Sequence, residues 1–407
     1  VVFENAHAAA PLCSPARGAL FTGIAPHRNG IQGLTHSGWR YREGVLTAPE
    51  RLRAVGYRST LIGLQHEDTD PTVLGYDEVF GLGFLPRVDQ VVDAVGDWLT
   101  TVPPAGARPP LLLTVGTWEV HRPWPHSDYE PADPAEVDVP AFLPDNADTR
   151  RDIADFSGSI RQFDAGFGRL VALLDEHLDP ENTLVIFTTD HGSAFPRAKS
   201  TLYDAGTGVA LIVRPPKAWK IPPARVTSIV AHVDVVPSLL DAAGAEIPSE
   251  LEGRTLLPLL RDPSTGDPDR IVYTAKSYHD TYDPKRAARS LDYAYIRNYE
   301  EGPRLQLAVD LEKSPTRQGM GDAHLEPRPA EELYDRRSDP AELVDVSSDP
   351  AYADVKSRYA NALHQHLVAI HDPIETERLD PAPARTRAVD ALEPIEAPEW
   401  VDGDSGA

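Results

Sequence analysis

Apolar residues in this chain follow two rhythms that alternate along its first two-thirds. Residues 57–63, 110–118, 183–190 and 209–214 are short apolar runs rich in Leu, Val, Ile and Thr, the texture of strands buried on both faces. Between them, residues 46–55, 88–102 and 150–177 repeat apolar positions at three- and four-residue spacing, which predicts helices. A further short helix is expected over 234–243, opened by Asp234 and stopped before Gly244. Strands separated by helices predict an α/β fold with a mostly parallel central sheet and helices on both faces.

The texture changes after Arg261. Residues 263–268 read as a linker, followed by shorter polar and aromatic strands such as 291–299 and by a helix over 352–370. This predicts a smaller α+β domain with an antiparallel sheet. From 372 onward the chain is rich in Pro, Glu, Asp and Ala, which suits an extended tail. The expected division is therefore 1–262, 263–371 and 372–407, with no internal repeat.

Composition narrows the functional classes. The net charge of −24 argues against a nucleic-acid partner or an anionic membrane, both of which call for a basic face. No apolar run approaches the roughly 20 residues that span a bilayer. Any anion site must be locally basic within an acidic whole. The single methionine is Met320, so Val1 is not a translation start and a preceding segment is expected. The single cysteine excludes intramolecular disulfides, which fits a soluble protein of the cytoplasm or periplasm.

That cysteine, Cys13, lies in Cys13-Ser14-Pro15-Ala16-Arg17-Gly18. A lone thiol is most often a small buried residue, but its setting is a predicted helix start running to about Thr22, with Pro15 in the first turn. Such a terminus offers free N–H groups to an anion, and Arg17 follows on the same face at i, i+4. Open α/β sheets bind ligands beyond the carboxyl ends of their strands. Three such ends carry ionisable residues: Gln65-His66-Glu67, Glu119-Val120-His121-Arg122 and Asp190-His191-Gly192. Asp190 and His191 together make half of a divalent-metal site, with no second acidic cluster at another strand end. On spacing alone, Lys199 reads as a solvated surface lysine.

These motifs together resemble the type I sulfatases of the alkaline phosphatase superfamily. Cys13, Pro15 and Arg17 form the C-x-P-x-R pattern in which that family's cysteine is oxidised to formylglycine. Leu20-Phe21-Thr22-Gly23, Pro26-His27-Arg28-Asn29-Gly30, Thr189-Asp190-His191-Gly192, the stretch 199–206, His232-Val233-Asp234 and Glu332-Leu333-Tyr334-Asp335 continue the likeness in order. Gly30-Ile31-Gln32-Gly33-Leu34 and Phe195-Pro196 are most similar to the heparan N-sulfatase (sulfamidase) group. The resemblance implies a formylglycine at Cys13 made by a formylglycine-generating enzyme, with Arg17 holding its oxygen. It implies His66 as base, His121 as acid toward the leaving group, and Lys199 on the sulfate. It further implies a divalent metal on Asp190 and His191, usually calcium, with manganese the alternative that the imidazole ligand brings in. The implied substrate is a small sulfated sugar, sulfate ester or sulfamate.

Three departures stand out. Leu64 replaces the lysine of the family's G-K-x-H segment, His191 stands where many members have asparagine, and the family's Asp-Asp metal strand is expected upstream of Val1. The alternatives are a phosphonate monoester or phosphodiester hydrolase on the same scaffold, and a catalytically impaired binding protein. His279, Tyr282 and Arg286, in the smaller domain, are the substrate-contact candidates.

Overall fold

Strand β1 (Val2–His7) is not an apolar run, yet it organises one sheet of the larger half of the molecule. Its neighbours are β6 (Leu211–Arg214) and β7 (Arg225–Ala231), and β5 (Val185–Thr188) closes the order β5-β6-β1-β7. A second sheet has the order β3-β2-β4, built from β2 (Arg58–Gly63), β3 (Glu78–Phe80) and β4 (Leu111–Gly116). The structure, a computed structural model, describes residues 1–83, 85–104 and 106–375. The tail expected from 372 therefore falls, from 376 on, outside the described residues.

The strands β2, β3 and β4 are parallel, as are β1 and β7. The expectation for residues 209–214 needs correction in one respect. Strand β6 runs antiparallel to both β1 and β5, so β5 shares the direction of β1. The reason is the connection: residues 189–210 cross the carboxyl end of the sheet and re-enter from that side, rather than returning through a crossover helix.

Helices cover both faces because their apolar stripes fit the strands. In Val88–Thr101 the buried residues are Val88, Val91, Val92, Val95, Trp98 and Leu99, a single face at 3.6-residue period. They pack with Leu170 and Leu174 of the long helix Ala147–His177 against Ile62 and the half-buried Leu111, Leu113, Val115 and Val185. The long helix starts where Asn146 caps it, its side chain accepting from the Thr149 N–H at 2.9 Å. On the other face, Ile24, Leu52, Val236 and Leu240 form a cluster with Phe21 and Leu112. Each such side chain contributes about 1.5–3 kcal/mol when fully buried.

The last third forms an antiparallel sheet, β11-β10-β9-β8, from β8 (Val272–Tyr278), β9 (Tyr282–Arg289), β10 (Tyr293–Asn298) and β11 (Glu331–Asp335). The helix Ala353–Ala369 packs Tyr359, Leu363 and Leu367 on it. The apolar core is continuous across the boundary expected near 262. Trp124, Phe195 and Leu202 share one cluster with Ala287, Ile296, Leu305 and Leu311.

Candidate active site

Cys13 is the first residue of the helix Cys13–Thr22, preceded by extended Leu12 and stopped by Gly23 in the left-handed conformation at φ 71°. The thiol is 7% exposed. One turn on, Arg17 Nε donates to Asp190 Oδ2 at 3.1 Å. Asp190 and His191 follow β5, and His191 Nε2 lies 3.4 Å from Cys13 Sγ. The His191 Nδ1 donates to the Gly192 carbonyl at 2.8 Å, which turns Nε2 toward the thiol.

The ends of β2 and β4 deliver the other two histidines. Gly63 has φ +92°, and a Cβ there would sit 2.1 Å from the Gly116 carbonyl oxygen, so only glycine lets the strands meet this closely. The Leu64 N–H donates to that same oxygen at 2.8 Å. The chain then turns to bring His66 beside Cys13, where His121 also arrives, and both lower the thiol pKa. His121 is braced from behind: its Nδ1 faces the Arg122 carbonyl, and Arg122 makes two 2.7 Å bonds to Asp152. Asp152 also accepts from Thr316 Oγ1 at 2.6 Å.

Lys199 is 3% exposed, contrary to the surface reading from spacing. Its Nζ lies 3.3 Å from His121 Nε2 and donates to Asp310 Oδ2 at 2.6 Å. Asp310 belongs to the short helix Val309–Glu312. That helix is tied down where the Val309 N–H donates to Asp280 Oδ2 at 3.0 Å, and the same oxygen receives His279 Nδ1 at 2.8 Å.

The electrostatics of the thiol follow from this crowd. Burial alone would raise the Cys13 pKa, but the His191 charge and hydrogen bonds with His121, His191 and His66 hold it well below the ordinary thiol value. Burial works against the charged form of Asp190, yet His191 and Arg17 keep its pKa low. Burial likewise opposes the charge of Lys199, and Cys13 and Asp310 more than restore it. Glu67, beside His66, behaves differently. Burial pushes it up to about 7, against a 2.5 Å hydrogen bond from Tyr41 and the charge of Arg17.

The structure thus brings Cys13, Arg17, His66, His121, Asp190, His191 and Lys199 together, with His279 next to Lys199 and Asp310. Arg286 is elsewhere, and the expectation of a substrate contact is corrected. It is among the largest fully buried side chains and bonds Asp372 Oδ2 at 2.6 Å and the Lys276 carbonyl at 2.8 Å. Tyr282 packs its ring on Tyr278 with centroids 4.9 Å apart. Sequence reasoning missed Asp310, Glu67 and His36, whose Nδ1 lies 3.3 Å from His66 Nε2. Glu67 was adjacent to a motif histidine and so had a signal; the other two sit in aperiodic segments.

Cys13, Asp190 and His191 have ligand atoms within 4.8 Å of one another. A carboxylate and an imidazole whose other nitrogen is already bonded suit a divalent ion. They fit as two of its ligands, fewer than the six to eight oxygens calcium takes.

The comparisons with known proteins identify the family. The family model described as Sulfatase matches residues 1–245, and that of the N-sulphoglucosamine sulphohydrolase C-terminal domain matches 195–321. The chain belongs to the sulfatase family, and it is a hydrolase of sulfate esters or sulfamates. It is 27% identical to the human N-sulphoglucosamine sulphohydrolase over 92% of this chain and 84% of that protein. It is 26% identical to an ulvan-active sulfatase of Formosa agariphila, over 91% of this chain and 74% of the relative. In fold it is similar to a protein solved with its substrate D-glucosamine-2-N,6-O-disulfate, at TM-score 0.70 and 19% identity, covering 92% of each chain. A phosphonate monoester hydrolase from Silicibacter pomeroyi shares the fold at TM-score 0.68 and 18% identity, over 92% of this chain and 89% of that one. No helix among the described residues is long and apolar enough to cross a membrane.

Proposed function

We propose that this protein removes sulfate from a sulfated amino sugar, with Cys13 converted to formylglycine by a formylglycine-generating enzyme. The observation that carries the reading is the convergence on one buried thiol of Arg17, His66, His121 and His191, with Lys199 directly behind. When present, the formylglycine supplies a hydrated aldehyde whose hydroxyl attacks sulfur, a nucleophile that serine or cysteine cannot replace. A divalent ion on Asp190 and His191, calcium or else manganese, supplies positive charge against the sulfate oxygens.

The chain's own residues do the rest. Arg17, with Nε fixed by Asp190, orients the side chain at position 13. Lys199 holds a sulfate oxygen in a dry setting where its charge counts for more. His121 presents Nε2 toward Lys199 and serves the leaving amine or hydroxyl as acid. His66 takes the proton that position 13 releases. His279 and Tyr282 stay as candidates for contact with the sugar, and Arg286 does not. Two features favour an amino sugar carrying an N-sulfate: the likeness to the human sulphohydrolase, and Asp310 at the leaving-group side as an acceptor for an amine.

The test is mass spectrometry of the peptide bearing Cys13 after co-expression with a formylglycine-generating enzyme, followed by rates on glucosamine N-sulfate, an aryl sulfate and an aryl phosphonate. We expect the aldehyde and a preference for the N-sulfate. An unmodified thiol in active enzyme would overturn the mechanism, and faster turnover of the phosphonate would overturn the substrate class.

A further inference from the structure

His36 has no place in the reaction as described, yet it touches the residue that handles the proton. It sits in the single turn Thr35–Ser37, which is fastened to the catalytic helix where the Thr35 N–H donates to Ser14 Oγ at 3.2 Å. Its ring lies nearly in line with that of His66. The planes differ by 11°, the centroids are 5.6 Å apart and the nearest nitrogens, His36 Nδ1 and His66 Nε2, are 3.3 Å apart. A centroid separation that exceeds the N···N distance by about one ring width means edge-to-edge contact, not face stacking. An N–H···N hydrogen bond fits that arrangement. On one side His66 lies close enough to Cys13 to lower its pKa; on the other, His36 is exposed to solvent. Cys13, His66 and His36 thus follow one another in order from the reacting position to the surface.

We propose that His36 is the proton outlet of this site: it takes from His66 the proton removed at position 13 and delivers it to bulk water. The inference rests on the reading of His66 as base. The His66 Nε2–H bond breaks as an N–H bond forms at His36 Nδ1, and His36 then gives its Nε2 proton to water, leaving both rings neutral. An outlet matters here because a proton retained on His66 would add charge beside His191, Arg17 and Lys199. The groups facing His36 suit the task. Burial and the charges of His66 and His279 weaken its hold on a proton, and Cys13 and Asp280 only partly offset this. It is therefore neutral and able to accept at neutral pH, and it does not retain what it accepts. His36 is a positioning residue, because it acts through His66.

The test compares the mature enzyme with His36→Phe and His36→Gln. Loss of the outlet is expected to lower kcat by about tenfold or more. By contrast, kcat/KM, set by the earlier departure of the leaving group, stays nearly unchanged. Added imidazole is expected to restore kcat in the variants and leave the wild type unaffected. A second readout needs no turnover: ring-nitrogen NMR of the unconverted Cys13 protein. His36 and His66 are expected to titrate as a coupled pair in the wild type, and His66 as a single group in His36→Phe. An unchanged kcat, a loss that imidazole does not rescue, or identical His66 titration with and without His36 each overturns the proposal. A wild type that turns over no sulfate overturns the functional reading instead, and the NMR comparison still decides whether the two rings share a proton.

Discussion

Two buried arginine–aspartate pairs in this protein look alike in sequence and behave oppositely. Arg286 and Asp372 close on each other through two bonds, at 2.6 and 3.1 Å, with side chains 1% and 0% exposed. The remaining Arg286 donors go to the carbonyls of Lys276 and Lys285 and to Ser277. Arg17 and Asp190 share a single bond of 3.1 Å, with each side chain 20% exposed. The first pair is saturated and has nothing left to offer a ligand; the second keeps donors and a carboxylate oxygen facing the thiol. Saturation marks a pair that holds the fold, and its absence leaves the other pair free to meet the ligand of the proposed reaction.

The contrast can be broken at either end. Arg17→Ala is expected to cost about 10²–10³ in kcat/KM, the loss typical of one oxyanion-directed donor. Its melting temperature should stay within about 2 °C of the parent, since Asp190 is part exposed and keeps His191 beside it. A collapse in stability would place Arg17 with the structural pairs. Asp372→Ala should do the reverse. Stranding the buried Arg286 charge is expected to cost about 3–5 kcal/mol in urea unfolding, while the fraction that stays folded keeps its kcat. The double variant Arg286→Met with Asp372→Leu should recover most of that loss, because an apolar pair removes both charges together.

A smaller effect sharpens the same comparison through pH. His27 and His366, both near Asp372, are pushed by burial from an ordinary 6.5 down to about 4. In the unfolded chain they take up protons near pH 6.5, and in the folded one only near 4. The unfolded state therefore binds more protons between these values, and stability falls as pH drops through that window. Each contributes on the order of 3 kcal/mol at most. Unfolding curves at pH 7 and pH 4.5 check this, and His366→Gln should flatten the difference.

Much of the site was legible because strand ends and a helix start are local features. Cys13, Arg17, His66, His121, Asp190 and His191 each follow an apolar run or open a helix, and the topology does the gathering. Lys199 was legible as a motif and not as a buried residue, since its partner Asp310 lies 111 residues away in an aperiodic segment. Arg286 was misread for the matching reason. The stretch Asp283-Pro284-Lys285-Arg286 looks like an exposed polar loop, yet β9 is buried almost throughout, and the partner that neutralises Arg286, Asp372, lies 86 residues on. Strand β6 lost its expected direction because nothing in an apolar run of four residues records which way the preceding chain re-enters a sheet.

The Asp310 carboxylate has one more consequence. By bonding Lys199 before any sulfate arrives, it equips the resting enzyme with an anion of its own. If Lys199 holds the sulfate as proposed, every incoming anion must win it from this tenant. A bare phosphate or sulfate brings only its charge to that exchange, whereas on the proposed reading a sulfated amino sugar also brings an amine that Asp310 can accept from once displaced. Selectivity against the small anions of the surrounding solution is thus built in as competition from within, and it eases the departure of product for the same reason.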